Sequence, residues 1–318
     1  MGEVQPDLPD VRRILSIARR AGVVLLASGA QTNEVEDAVR HLTADLGLED
    51  VQVGVFFSSI QLSYVAPGDL EPTTVLQLSS GRTADLTRLS DVTSLIHRVA
   101  AGDLDLDGAE VEMTQIERNV RLGSVPLAIV APAVSSAALA VLFGGAPLDV
   151  VATFLLSLLI LPTVAWLKRN GMPPFFSLLL GAAAATILAA LTYWVGFHVE
   201  AGLLMTACLL QFLPGAALVA GARDLIDQSV ISGTARLAEA LLIGAGVASG
   251  AALGIAISPR LGVVLAFDIT GPRTWAPPVV LAAAAIAVAA YATQLAVPRF
   301  AIPWTALLGA VAWTIYSL

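Results

Sequence analysis

Apolar and polar positions follow two different rhythms along this chain, and the change falls near Ser124. Before it, apolar residues recur with the periods of helices and strands that bury one side. After it, they run together for about 20 residues at a time, the length a helix needs to cross a bilayer's hydrocarbon core. From Asp10 to Ala30, Val11, Ile14, Leu15, Ile17, Ala18 and Val23 make a broad stripe with Arg12, Arg13, Arg19 and Arg20 opposite, which predicts an amphipathic helix closed by Gly29. Asn33 is expected to cap a second helix, with Glu36 as its capping-box partner and Val35, Val39 and Leu42 facing inward to about Leu46. The period then shortens to two. Residues 51–56, 60–65 and 73–78 predict three strands, separated by Ser-Ser and Pro-Gly-Asp turns. Helices over about 90–101 and 107–121 follow, the second with Asp107 and Glu110 at cap positions.

The remainder predicts about seven spans: 124–144, 148–167, 174–197, 201–221, 236–258, 276–297 and 301–318. The fold class expected is an α-helical polytopic membrane protein with an N-terminal α+β cytoplasmic domain over 1–121. Orientation follows from the basic residues. Arg118, Arg121, Lys168, Arg169, Arg223, Arg236 and Arg299 fall on the side of the N-terminal domain, whereas Gly144–Asp149 and Phe197–Glu200 carry no Lys or Arg. The longer 259–275 loop carries Arg260 and Arg273. This asymmetry places the N-terminal domain inside the cell.

Composition agrees. The residues are 57% hydrophobic and 13% charged, with mean hydropathy +0.80, well outside the soluble range. The net charge of −8 is concentrated in the first 120 residues, no basic stripe occurs and Lys168 is the one lysine, so nucleic acid is not an expected partner. Cys208, inside an apolar run, excludes an internal disulfide and a cysteine-based metal site. Met1–Asp10 has Glu3, Asp7 and Asp10 and no apolar core, unlike a secretory signal peptide.

Candidate chemistry lies in the membrane half. Counting about 1.5 Å per residue from Glu200 puts Gln211 about 15 Å deep, near the midplane. Pro214 cannot donate to the Leu210 carbonyl, and with Gly215 it predicts a broken helix, the arrangement transporters use to hold ions and anionic groups. A harmless proline kink satisfied by neighbours is the structural alternative. Asp224 and Asp227, spaced i,i+3, are expected on one helical face, with Arg223 pairing Asp227 at i,i+4. Glu239, one turn inside the fifth span with Arg236 a turn away, is the candidate proton carrier; a solvated loop with Glu239 snorkelling towards Arg236 is the alternative. Gly246, Gly250 and Gly254 make a GxxxGxxxG stripe, which predicts close helix packing.

The N-terminal domain offers little for catalysis. His41 and His97 are isolated, and neither HExxH, CxxC nor a phosphate-binding glycine loop after a strand occurs. Glu34, Glu36 and Asp37 suit a helix N-terminus, and Ser58 and Ser59 sit in a turn without a placed base. No enzyme activity, cofactor or metal is implied.

These residues resemble the threonine/serine exporter family of bacterial inner-membrane transporters over almost the whole chain. The likeness rests on Leu26–Glu36, Leu86–Asp91 with Ala100–Gly102, and Lys168–Phe176. It is most specific at Leu213-Pro214-Gly215, Arg223–Asp227 and Ser232–Ala240. The resemblance implies a cytoplasmic domain joined to about ten spans that export threonine and serine on the proton gradient, with related two-subunit members associated with succinate. It implies a five-helix module over 122–260, two spans of a second module over 261–318, and about three further spans absent after Leu318. A partner membrane subunit or a homo-oligomer would then close the pathway, unless the chain is a piece. Gln211, Pro214, Gly215 and Asp227 are the expected substrate residues, and Glu239, Asp224 and Arg236 the expected proton-coupling residues. An exporter of succinate or another small organic acid is the alternative, and a membrane enzyme or scaffold a third.

Overall fold

The computed structural model describes residues 8–67, 70–79, 85–118, 125–194, 199–263, 265 and 275–317. Arg121 and Arg273, used above to weigh orientation, lie outside them. Two compact units emerge: Met1–Arg121 with Ala216–Ala238, and Leu122–Gly215 with Glu239–Leu318. Packing thus groups the residues differently from the expected divisions at 121 and 260. A segment from the membrane half joins the first unit, and the residues after 261 stay with the second.

In the first unit, α1 (Leu8–Ala27) and α2 (Thr32–Asp45) are joined by a turn in which Gly29 takes φ +97°, a left-handed conformation that glycine adopts without strain. Strands β1 (Gln52–Phe56), β2 (Ser59–Tyr64) and β3 (Thr73–Leu78) form an antiparallel meander, with Val55 opposite Ile60 and Leu62 opposite Val75. Ile60 and Leu62 point into the core while Gln61 faces out, the period-two pattern of a sheet covered on one face. Val11, Ile14, Leu15, Ile17 and Ala18 of α1 fill that core; Val23 is only half-buried.

Helices α3 (Leu86–Ala100) and α4 (Leu106–Arg118) add Val92, Leu95, Met113 and Ile116 to the same core. The arginine face of α1 is used too: Arg13 pairs with Asp107 and with Glu110 at 2.7 Å, and Arg20 with Glu117 at 2.6 Å. The hydrogen bonds that Arg13 donates to Asp107 and Glu110 raise its guanidinium pKa above the ordinary value.

Two cap expectations and one helix start are corrected. Helix α2 begins after Gln31, whose backbone and side-chain N–H groups donate to Glu34 at 3.4 and 2.9 Å; Glu36 instead pairs with Arg40. Helix α3 starts about a turn earlier than expected because Asp85 accepts from the Arg88 N–H at 3.0 Å. At α4 the capping side chain is Asp105, accepting from the Gly108 N–H at 2.8 Å, which frees Asp107 and Glu110 for Arg13. At α3 and α4 an upstream aspartate reaches an orphan amide first, and at α2 Glu34 reaches back to Gln31.

The second unit contains α5 (Val125–Leu142), α6 (Pro147–Arg169), α7 (Pro174–Trp194), α8 (Ala201–Leu209) and the later part of α10 (Val230–Ile257). Helices α11 (Pro277–Gln294) and α12 (Ile302–Ser317) complete it. Between α8 and α10 runs α9 (Gly215–Ile226), most of which belongs to the first unit. Helix α11 packs on α5 and α12, α6 on α5 and α7, and α8 on α5, α6 and α7. Seven of the nine residues of α8 are buried, so it lies inside the bundle. Outward-facing Leu155, Leu159, Trp166, Leu242, Leu253 and Trp304 leave apolar faces that only lipid or another apolar surface would cover.

Against the expected seven spans, four helices among the described residues are long and apolar enough to cross a membrane, or five with the bent α8–α9 pair taken as one span. Helix α12 has 16 residues, and the apolar stretch of α5 runs only from Leu127 to Leu142. The fifth expected span starts at Val230 rather than 236, so Arg236 and Glu239 both stand well inside a helix.

Candidate functional site

The break at Pro214 is present. Helix α8 tightens into a 3₁₀ turn over Leu210–Phe212, Leu213 is extended at φ −70° and ψ 131°, and α9 starts at Gly215. The Leu210 carbonyl is not left free, as the missing proline donor had implied: it accepts from the Leu213 N–H at 3.3 Å. Tightening the last turn hands that acceptor to the residue before the proline. Gly215 has no close neighbour at its Cβ position and no positive φ, so neither crowding nor backbone conformation demands glycine there.

Gln211, in the 3₁₀ turn, anchors a chain of polar groups. Its Nε2 donates to Ser135 Oγ on α5 at 2.9 Å, Ser135 donates to the Ala287 carbonyl on α11 at 3.0 Å, and Gln294 Nε2 donates to Gln211 Oε1 at 3.1 Å. Sequence reading missed Ser135 and Gln294. Polar residues in apolar runs were the signal, but serine and threonine often bond their own helix, as Ser136 and Thr186 do here.

Asp149 was also missed. It is buried near the start of α6 and accepts backbone N–H groups from Ala146 at 2.7 Å and Glu200 at 2.8 Å, thereby tying the N-termini of α6 and α8 together. A turn and two turns further on, buried Thr153 Oγ1 has no partner among the described residues, and Ser157 meets Cys208 at 3.2 Å.

In the first unit, α9 and the first turns of α10 dock on the N-terminus of α2. Asp224 is 1% exposed and Arg236 2%, with Arg236 Nε 2.8 Å from Asp224 Oδ2. That contact is an ion pair whose N–H is not aligned as a hydrogen bond. Asp224 also accepts the Thr32 N–H at 3.1 Å and the Thr32 hydroxyl at 3.3 Å, while Arg236 Nη2 donates to the Ala30 carbonyl at 2.8 Å. Asn33, expected as a helix cap, instead donates to the Asp227 carbonyl at 2.9 Å and accepts from Ser229 Oγ at 2.6 Å.

Two expectations fail here. Asp224 and Asp227 do not share a face: α9 ends at Ile226, Gln228 turns left-handed at φ 64°, and Asp227 is exposed. Arg223 is exposed as well and makes no ion pair with Asp227. Arg236 is committed to Asp224, across the α9–α10 turn. Glu239 is half-buried on α10 in the second unit.

Gly246, Gly250 and Gly254 line the closest approach of α10 to α7. A Cβ on Gly246 would lie 2.8 Å from the Phe175 carbonyl oxygen, one on Gly250 would overlap the Leu179 carbonyl oxygen, and one on Gly254 would overlap Thr186.

A hollow of about 620 Å³ beside α3, lined by Ser90, Ser94, His97 and Arg98 among others, contains no hydrogen-bonded nucleophile and base among the described residues. No three His, Cys, Asp or Glu side chains converge as a metal site among the described residues.

Apolar helices long enough to span, with a further pair broken just after a half-buried glutamine, define a multi-pass helical membrane protein. The chain belongs to the threonine/serine exporter family: the ThrE model, described as "Putative threonine/serine exporter", matches residues 16–258. It is 27% identical over 264 residues to the "Threonine/serine exporter" of Corynebacterium glutamicum, covering 81% of this chain and 54% of that protein. It is 26% identical over 267 residues to the "Probable threonine/serine exporter" of Mycobacterium tuberculosis, covering 84% and 50%. It is also 24% identical over 276 residues to the "Probable succinate transporter subunit YjjP" of Klebsiella aerogenes, covering 86% of this chain and 100% of that one. The chain therefore spans about half the length of the two exporters and all of the subunit. No solved structure matches it.

Proposed function

We propose that this chain is a secondary transporter, or one subunit of one, that exports threonine and serine across the bacterial inner membrane on the proton gradient. The observation that carries the reading is Gln211, hydrogen-bonded to Ser135 and Gln294 beside a helix break within a largely apolar bundle. Polar groups set among apolar helices are costly and mark substrate paths. The exporters named among its relatives supply the substrate class. Gln211 with the Pro214–Gly215 break would receive the substrate, and exposed Asp227 would meet the ammonium of an arriving amino acid.

Coupling needs a carboxylate that changes protonation during the cycle. Glu239 takes that role in this reading, because Asp224 is already neutralised by Arg236 and held by Thr32. The buried pair then serves as the fixed support of the α9–α10 turn. With the first unit in the cytoplasm, a cysteine placed at Ser58 on a Cys208→Ala background is expected to stay unlabelled by an impermeant thiol reagent in intact cells. Labelling from outside would reverse the orientation and the direction of transport.

The functional test is gradient-driven uptake of labelled threonine into vesicles holding the purified protein with any co-purifying membrane partner. Glu239→Gln is expected to keep threonine exchange and lose its response to an imposed pH gradient. An undiminished response would remove Glu239 from the coupling step. A second reading is export of succinate or another small organic acid as one of two subunits, which the full-length match to a succinate transporter subunit favours. Succinate flux without threonine flux would establish it.

A further inference from the structure

The line of polar groups around Gln211 has a direction. The Ala287 carbonyl can only accept, so Ser135 must donate its one hydroxyl hydrogen to it. Ser135 then presents a lone pair, and Gln211 must turn its NH₂ end towards it. The Gln211 carbonyl oxygen therefore faces Gln294, which donates. Bonding capacity is left over at the far end: Gln294 retains its carbonyl oxygen and one N–H, Gln211 one N–H, and Ser135 a second lone pair.

Gln294 lies seven positions after Ala287 on α11, about 10 Å along the helix axis, so the line runs from inside the span to its last residue. Tyr291 lies on the same face, one turn from each, half-buried. Helices α5, α8 and α11 and the 3₁₀ turn carry no Lys, Arg, Asp or Glu at all. A seat of this kind offers a dicarboxylate no cation, and burying unpaired carboxylates is far more costly than burying a hydroxyl. A hydroxyl both donates and accepts, as the leftover amide groups do.

We propose that Ser135, Gln211 and Gln294 form an uncharged seat that reads the side-chain hydroxyl of a small hydroxy amino acid. This rests on the transport reading above and assigns its substrate selectivity to three helices. The substrate hydroxyl would take up the amide bonding capacity that the three side chains do not use on one another. An analogue without the hydroxyl leaves it unfilled, and sites built to bond a hydroxyl reject such analogues strongly.

The test compares threonine with 2-aminobutyrate, which has the same carbon skeleton and no hydroxyl, as competitors of labelled threonine exchange in vesicles holding the full chain. The unaltered protein is expected to favour threonine by at least about tenfold. Gln294→Leu and Ser135→Ala are each expected to bring that preference to within about twofold. The ratio does not depend on how much protein is folded, so damage that merely lowers flux leaves it unmoved. Gln294, half-buried at the last residue of α11, supplies the variant least apt to disturb folding. An unchanged ratio in both variants, or no preference in the unaltered protein, overturns the seat while leaving threonine transport standing. Succinate flux without threonine flux overturns the transport reading and the seat together, and is distinguished from the other outcomes by that absence.

Discussion

Arg236→Met is expected to destabilise the first unit by about 3–5 kcal/mol, the cost of leaving a buried carboxylate without its partner. Asp224 keeps the Thr32 N–H and hydroxyl at 3.1 and 3.3 Å, but two neutral donors do not replace a guanidinium at 2.8 Å. The Ala30 carbonyl loses its donor as well. The double variant Asp224→Asn, Arg236→Met should recover much of the loss, because removing both charges removes the desolvation penalty that makes the single change severe. Limited proteolysis of the full chain is the measurement. If opening precedes cleavage, about 3 kcal/mol corresponds to a more than hundredfold faster cut in the Gly29–Thr32 turn. Equal rates for single and double variants would show that the pair's electrostatics is not what holds α9 and α10 in place.

Gly250→Leu is expected to prevent correct packing of the second unit. Its Cβ would overlap the Leu179 carbonyl oxygen and lie 2.9 Å from Ala182 Cβ, and a helix backbone cannot yield locally as a side-chain end can. Overpacking commonly costs 1–3 kcal/mol, and about the upper end or more applies where backbone is struck. Gly244→Leu, on the same helix with nothing within 4 Å, is the matched control. Thermal unfolding in detergent should show a large fall in Tm for the first and little change for the second. Similar Tm values would mean that α10 does not approach α7 this closely.

The glycine stripe at 246, 250 and 254 was readable because close helix approach in apolar surroundings leaves a four-residue spacing in the sequence. The strands β1 and β2 were readable for a similar reason: one covered face imposes period two on Val53, Val55, Ile60 and Leu62. Caps were less readable. Gln31, Asp85 and Asp105 competed with equally polar neighbours, and a shift of one or two residues decides which amide is reached.

Sequence alone determined where the apolar runs lie, that Pro214 interrupts one of them, and that the chain carries several helices suited to a membrane. Those are properties of neighbouring residues, set by helix rise, by a missing N–H and by side-chain transfer from water. Only the tertiary structure decided which polar residues meet. Thr32 and Asp224 are 192 positions apart, Ser135 and Gln211 76, and Gln211 and Gln294 83. It also separated Asp224 from Asp227 and gave Arg236 to the former, because the helix ended at Ile226 and turned left-handed at Gln228. Hydrogen bonds and ion pairs across such separations leave no period in a single chain, since their spacing is fixed by how whole helices pack.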